Sequence, residues 1–176
     1  MRIISGYLKG RNFDSPGGHR TRPMSDKLKG AVFNVLGDVA DLSVLDVFSG
    51  SGALAFEALS RGASSAVLLE QDRRAVVTIE KNIQSLGIED TARLVPTYAH
   101  SWSTRNKAQK FDIVFMDPPF EDLQEKALGK LSDHLADGGI LVLNFPSFER
   151  PPYELQHLEL VKQRKHGKSQ LLFYKS

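Results

Sequence analysis

The chain has 176 residues and no cysteine, which predicts one domain and excludes disulfides, thiolate metal ligands and a cysteine nucleophile. With 41% hydrophobic residues, 25% charged residues and a net charge of only +2, its composition is that of an ordinary globular protein. No apolar run approaches the ~18 residues needed to span a membrane, and the first residues lack the apolar core of a secretory signal, so we expect a cytoplasmic protein.

The first 41 residues read as a basic arm followed by a helix. The arm is rich in glycine and proline up to Pro23, and the helix is predicted over 25–36, with Leu28, Val32, Phe33 and Leu36 on one side. We interpret this region as part of a single domain that spans 1–176.

From Leu42 onward, short apolar runs alternate with helical segments. Strands are predicted over 44–48, 66–70, 92–95, 111–116 and 140–145, and helices over 53–61, 73–86 and 123–135, with a polar stretch near 100–107. This order predicts an α/β fold with a mostly parallel sheet and helices on both faces. Two further strands, 155–162 and 170–175, have no helix between them and predict an antiparallel hairpin at the sheet edge, which makes seven strands.

The charges are unevenly distributed along the chain. Residues 1–30 carry seven Lys or Arg against two Asp, and residues 150–176 carry six against two Glu, whereas residues 31–149 carry ten basic against seventeen acidic residues. Basic ends around an acidic body are typical of a catalytic core with nucleic-acid contacts at its margins. The alternative is that the basic residues near both ends of the chain are ordinary surface charges that contact only solvent.

The tetrapeptide Asp117-Pro118-Pro119-Phe120 follows the apolar run 111–116 directly. Two prolines end a strand abruptly, because neither can donate to a β-ladder and each fixes φ near −65°. The tetrapeptide is therefore a rigid shelf with a carboxylate before it and an aromatic ring after it, which suits a planar ligand such as a nucleobase. A proline turn next to a core phenylalanine is the alternative.

A glycine-rich turn follows the first predicted strand. Gly50 and Gly52 fit the G-x-G-x-x-G/A pattern of nucleoside-cofactor loops, and Glu70 ends the next strand, where it could accept hydrogen bonds from a ribose. Asp46 lies just before the loop, where a carboxylate would repel a pyrophosphate and attract a cation. S-adenosylmethionine, with an ammonium, a sulfonium and no phosphate, therefore fits better than NAD.

Together these motifs resemble the amino-group methyltransferases that use S-adenosylmethionine. The chain is further similar to the RsmD family, in motifs that cover nearly all of it: Arg-Ile-Ile-Ser-Gly at 2–6, Arg-Pro-Met-Ser-Asp-Lys at 22–27, Phe-Asn at 33–34, Phe-Ser-Gly-Ser-Gly-Ala-Leu at 48–54 and Glu-Ala-Leu-Ser-Arg-Gly-Ala at 57–63. It departs from that family at Asn144, where an acidic segment is common, at His166, where Tyr is usual, and at Tyr98, where a small polar residue is usual.

The resemblance implies a Rossmann-like class I methyltransferase that methylates the exocyclic N2 of one guanine in 16S ribosomal RNA of the small subunit or its assembly intermediate. The implied catalytic residues are Asp117, Pro118, Pro119 and Phe120. The implied cofactor-binding residues are Asp46, Phe48, Ser49, Gly50, Ser51, Gly52, Glu70, Gln71, Tyr98 and Ala99. The expected RNA contacts are Lys9, Arg11, Arg20, Arg22, Lys27, Lys29, Arg164, Lys165 and Lys168, and we expect a monomer that binds neither a membrane nor a metal.

Three other functions fit parts of the pattern. The first is the same methyl transfer to another amine, either that of adenine or cytosine or that of a glutamine amide. A DNA substrate would be favoured by a target-recognition domain, for which 176 residues leave no room. A non-catalytic RNA-binding assembly factor predicts a broken cofactor loop or a lost Asp-Pro-Pro-Phe, and both are intact. An NAD oxidoreductase would need a hydride-site acid or base, which is not evident.

Overall fold

The computed structural model describes residues 1–17, 24–123 and 125–176. The helices are α1 (Asp26–Leu36), α2 (Ala53–Ser60), α3 (Arg73–Leu86), α4 (Ala99–Arg105) and α5 (Glu125–Ser132), with a 3₁₀ turn at Tyr153–Leu155. The strands are β1 (Ser43–Asp46), β2 (Ser65–Glu70), β3 (Ala92–Pro96), β4 (Phe111–Met116), β5 (Leu135–Pro146), β6 (Glu159–His166) and β7 (Ser169–Lys175).

All seven of these strands form one sheet in the order β3-β2-β1-β4-β5-β7-β6. Strands β1 to β5 pair in parallel, and β7 pairs antiparallel with both β5 and β6. The prediction of a mostly parallel sheet with an antiparallel C-terminal hairpin is confirmed. The strand order reverses between β1 and β4, and this point positions the candidate site.

The sheet separates two apolar cores. Successive strand residues point to opposite faces, so Val44 belongs to the core under α1, α2 and α3, whereas its neighbour Leu45 belongs to the core under α4 and α5. The ends of helix α3 are set by the residues that flank it. At the start of the helix, the Asp72 carboxylate accepts hydrogen bonds from two backbone N–H groups of the first turn. The helix ends at Gly87, which has φ of 69°.

Two strands begin four or five residues away from their predicted starts. Strand β5 begins at Leu135 rather than 140, because Gly138 and Gly139 lie at an irregularity within the strand and do not precede it. A Cβ atom at Gly139 would lie 2.8 Å from the Asp112 carbonyl oxygen, so this close approach requires glycine. Strand β6 begins four residues later than predicted, at Glu159, because Leu155 is buried in the second core by the 3₁₀ turn.

The described part of the N-terminal arm packs on the domain. Ile3, Leu8 and Phe13 are buried in the first core, and the backbone N–H groups of Ile4 and Ser5 donate to the Glu57 carboxylate of α2 at 2.8 and 3.0 Å. These contacts make residues 1–14 part of the domain's packed structure.

Candidate active site

The predicted site residues gather where β1, β2 and β4 end. Asp46 is the last residue of β1, Glu70 is the last residue of β2, and Asp117 directly follows β4. These strands are parallel neighbours, so their carboxyl ends meet at one edge of the sheet. The tertiary structure therefore brings together three carboxylates that are up to 71 positions apart in the chain.

The glycine turn closes between β1 and α2. The Gly52 N–H donates to the Ser49 carbonyl oxygen at 2.7 Å, and the Ser49 hydroxyl donates to the Asp46 carbonyl oxygen at 2.9 Å. Gly52 has φ of 78°, and a Cβ atom there would lie 2.6 Å from the Phe56 ring. Glycine is required on both counts.

Glu70 holds this loop against the end of β2. One carboxylate oxygen accepts the Gly50 N–H at 2.7 Å, and the other accepts the N–H groups of Gln71 and Asp72 at 2.8 Å each. A carboxylate can accept about four hydrogen bonds, so Glu70 retains capacity for a hydroxyl donor. Its predicted contact with a ribose stays a prediction.

The other expected cofactor residues surround the loop. Ser49, Ser51 and Ala99 are buried, whereas Gln71 and Tyr98 are exposed, and Phe48 is half-buried. Tyr98 precedes α4 and presents 68% of its surface at the edge where β3 ends. An exposed ring there is available to contact a ligand.

Asp46 and Asp117 are electrostatically coupled. Burial, together with the charge of Asp117, raises the pKa of Asp46 to about 8, against the opposing effect of a hydrogen bond from the Ala55 backbone. Burial also raises the pKa of Asp117 to about 6, opposed by a hydrogen bond from Asn144. Two carboxylates in this position favour a cationic or hydrogen-bond-donating ligand and disfavour a phosphate.

The proline pair forms the expected shelf. Pro118 is buried, Pro119 is exposed, and the Pro119 carbonyl oxygen accepts the Asp122 N–H at 2.9 Å in a turn. Phe120 is 39% exposed and belongs to neither core, so it is not the core phenylalanine of the alternative interpretation.

The residues expected to contact RNA fall into three groups: exposed, outside the described residues, and buried. Exposed side chains are Lys9, Arg11, Lys27, Arg164, Lys165 and Lys168, and Arg11 also donates to the Ser85 carbonyl oxygen at 2.6 Å. Arg20 and Arg22 lie outside the described residues.

The prediction that Lys29 contacts RNA is wrong. Its side chain is fully buried, and its Nζ donates to the Arg2 carbonyl oxygen at 2.6 Å and lies 3.5 Å from Glu57. Burial is the largest influence on the Lys29 pKa and lowers it. A phosphate cannot reach this ammonium, so Lys29 anchors the arm instead.

Two further residues near the site were missed as site residues from the sequence. Asn144, near the end of β5, donates from its Nδ2 to Asp117 Oδ1 at 2.8 Å. Phe148 is 79% exposed, and it directly follows Ser147, whose N–H donates to the carbonyl oxygen of Lys168 in the hairpin turn at 2.9 Å. The sequence does contain a signal for Phe148, which is an aromatic residue within a polar, proline-rich segment. No local pattern marks Asn144 as a partner of Asp117.

The part of the chain that the structure describes was also compared with other kinds of site. A shallow cavity of about 180 Å³ lies at the opposite edge of the sheet, between α1 and the start of β4. Within 1–17, 24–123 and 125–176, no cluster of three or more His, Asp or Glu residues could hold a metal ion. None of the helices in the described part of the chain is long and apolar enough to cross a membrane.

Comparison with known proteins identifies the family. The family model described as Conserved hypothetical protein 95 matches residues 1–175. Ribosomal RNA small subunit methyltransferase D of Escherichia coli K12 is 39% identical over 145 residues, which cover 80% of this chain and 72% of that protein.

Solved structures of other methyltransferases have the same fold. The yhhF structure from Escherichia coli is 34% identical, with a TM-score of 0.85 over 99% of this chain and 96% of that one. SMU.776, solved in complex with SAH, shares the fold at 13% identity, with a TM-score of 0.69 over 86% of this chain and 49% of that one. The chain therefore belongs to the RsmD family of ribosomal RNA methyltransferases and has the class I methyltransferase fold.

Proposed function

We propose that the chain transfers a methyl group from S-adenosylmethionine to the exocyclic N2 of a guanine in 16S ribosomal RNA. The observation that carries this proposal is the electrostatic interaction of Asp46 with Asp117 at the ends of β1 and β4, beside the glycine turn and an exposed Phe120. The RsmD relationship supports the ribosomal RNA substrate.

The site fits the cofactor in charge. S-adenosylmethionine supplies an electrophilic methyl group on a cationic sulfur. The buried Asp46 carboxyl, with its raised pKa, gains a favourable partner when a cation lies nearby. Glycine at position 52 accommodates the Phe56 ring, which packs against the turn, and Glu70 at the end of β2 is the acceptor for ribose hydroxyls.

The shelf orients the amine. The guanine N2 lone pair is delocalised into the ring, so the amine is a poor nucleophile. Asp117 and the Pro118 carbonyl oxygen accept its two N–H bonds and direct the lone pair at the methyl carbon, while Phe120 stacks on the base. A nitrogen–carbon bond forms as the sulfur–carbon bond breaks, the sulfur keeps the electron pair, and the nitrogen then releases a proton to solvent through Asp117.

The basic surfaces hold the RNA around this shelf. Lys9, Arg11 and Lys27 extend from the N-terminal region and α1, and Arg164, Lys165 and Lys168 extend from the hairpin. Arg20 and Arg22 are proposed contacts from sequence. A guanine N2 in paired RNA faces the minor groove, so the target base must be unpaired or extruded. The chain then acts as a monomer on the small subunit or its assembly intermediate in the cytoplasm.

The test is transfer of labelled methyl to small ribosomal subunits from a strain that lacks the corresponding enzyme, followed by nuclease digestion and mass spectrometry of the nucleosides. N2-methylguanosine at one position is the expected product. A methylated adenosine or cytidine would contradict the guanine assignment, and cofactor and RNA binding without transfer would favour an assembly factor.

A further inference from the structure

Asn144 holds an unused hydrogen-bond acceptor beside the shelf. Its side chain is 8% exposed, and its Nδ2 donates to Asp117 Oδ1 at 2.8 Å. Its own Oδ1 is buried and accepts no hydrogen bond from the described residues. A buried amide oxygen without a partner is rare, because burial removes its water without replacing the lost hydrogen bond.

The orientation of this amide follows from its partner. If the amide were reversed, its oxygen would lie against an oxygen of the Asp117 carboxylate, and the two would repel each other. With Nδ2 on Asp117, Oδ1 is the free end of the same amide. Two acceptor groups, the Asp117 carboxylate and Asn144 Oδ1, are therefore neighbours at the shelf.

We propose that Asn144 selects guanine, with its Oδ1 accepting the N1–H while Asp117 accepts an N2–H. This inference rests on the proposed function. Asp117 Oδ1 already accepts the Asn144 amide, so its second oxygen serves the amine and the N1–H goes to Asn144.

The edge of guanine matches this acceptor pair. Guanine presents two adjacent donor groups, N1–H and N2–H₂. Adenine and cytosine each present an amine next to a ring nitrogen that accepts, and such a nitrogen would lie against Asn144 Oδ1 without a hydrogen. Sites that hydrogen-bond a substrate donor reject analogues that lack it more strongly than apolar pockets do, because the buried acceptor is left unpaired.

The experiment compares guanine with an analogue that lacks both its N1–H and its O6, and the Asn144 variant isolates the contribution of N1–H. Small subunits are reconstituted with 16S ribosomal RNA that carries, at the position methylated by the wild-type chain, either guanosine or 2-aminopurine riboside, which keeps the exocyclic amine and lacks N1–H. We expect the wild-type kcat/KM to be at least about 30-fold higher for guanosine. In Asn144→Ala, we expect transfer to guanosine to fall by a similar factor and the ratio between the bases to approach one.

Further variants separate selection from a structural role. Gln84→Ala, an exposed amide on α3, should leave both rates unchanged. Asn144→Asp keeps an acceptor oxygen but places a second charge beside Asp117, so the acidic limb of its pH profile for kcat/KM should move to higher pH. Binding of S-adenosylhomocysteine confirms that each variant is folded.

Specific results would overturn the inference. Equal wild-type rates on the two bases would do so without any variant, and so would an Asn144→Ala chain that retains the wild-type ratio. In both cases N2-methylguanosine would still be formed and the proposed function would stand. A wild-type product other than N2-methylguanosine would overturn the proposed function itself.

Discussion

Asp46 and Asp117 end two adjacent parallel strands, and the negative charge of Asp117 contributes to raising the pKa of Asp46 to about 8. The fold thus places two acidic groups where each makes ionisation of the other less favourable. Such an arrangement costs stability unless a ligand supplies positive charge or hydrogen-bond donors. The pair connects the proposed cofactor position to the proposed base position.

Asp117→Asn is expected to reduce methyl transfer strongly without loss of cofactor binding. The amide keeps the shape of the side chain but removes the negative charge that accepts the amine, which predicts a loss of roughly 10²–10³-fold in kcat. Single-turnover transfer to small subunits and calorimetric binding of S-adenosylhomocysteine measure the two effects. Asp90→Asn, an exposed residue near the opposite edge of the sheet, is the matched control. Transfer by Asp117→Asn at the wild-type rate would exclude the proposed role.

The stability of the chain is expected to decrease from about pH 4 to about pH 8. The Asp46 carboxyl has a pKa of about 8 when folded against 3.8 in the unfolded reference, so the folded state binds more protons between these values. The free energy of unfolding then falls with rising pH, by up to about 1.4 kcal/mol per pH unit. Urea titrations measure this slope. It should flatten in Asp46→Asn and persist in Asp90→Asn.

Cofactor affinity is expected to rise with pH over the same acidic range. A cation binds the ionised Asp46, so protons compete with it below about pH 8. The association constant of S-adenosylmethionine should increase up to about tenfold per pH unit between pH 5.5 and 7.5, and binding should release a proton. Calorimetry in buffers of different ionisation enthalpy counts that proton. No proton release from wild type, or the same release from Asp46→Asn, would contradict the assignment.

Glu57→Ala is expected to destabilise the fold by about 3–5 kcal/mol. The Glu57 carboxylate is fully buried, accepts the N–H groups of Ile4 and Ser5, and pairs with Lys29 and Arg61 at 3.5 and 2.8 Å. Its removal leaves a buried ammonium and two backbone donors without their acceptor. Chemical denaturation measures the loss, and the exposed Glu80→Ala on α3 should change stability by less than about 0.5 kcal/mol. Equal stability of the two variants would mean that the arm is held elsewhere.

The hairpin turn and Phe148 are expected to act together in RNA binding. Phe148→Ala should weaken binding of the small subunit by about 1–3 kcal/mol through loss of base stacking, with little change in salt dependence. Lys165→Ala combined with Lys168→Ala should instead reduce the slope of log affinity against log salt by about one to two. Filter binding across a salt series separates the effects. Lys107→Ala, on an exposed loop before β4, serves as the charge control, and Val77→Ala on α3 as the apolar one. Unchanged binding in both hairpin variants would remove this surface from the RNA interface.

Local sequence was sufficient to predict most of the helices and strands and the local structure around the candidate site. The alternation of apolar runs with helical periods predicts β1 to β4 and α1 to α3 closely, because these signals depend on neighbours a few positions apart. The glycine turn and the Asp-Pro-Pro-Phe shelf are also local, since glycine and proline restrict the backbone where they stand. Strand β6 was misplaced because burial of Leu155 under α5 is a contact between distant segments.

The sequence by itself determined the α/β order, the glycine turn after β1, the proline pair after β4 and the family resemblance, because each depends on residues that are adjacent in the chain. The tertiary structure decided which polar and charged side chains are exposed and which are buried against a partner. Lys29 looked like an exposed phosphate ligand until packing placed it against Glu57, and Asn144 looked like a departure from the family until β5 placed it on Asp117. Burial and partner distance set the pKa and accessibility of a polar group, and both depend on residues far away in the chain.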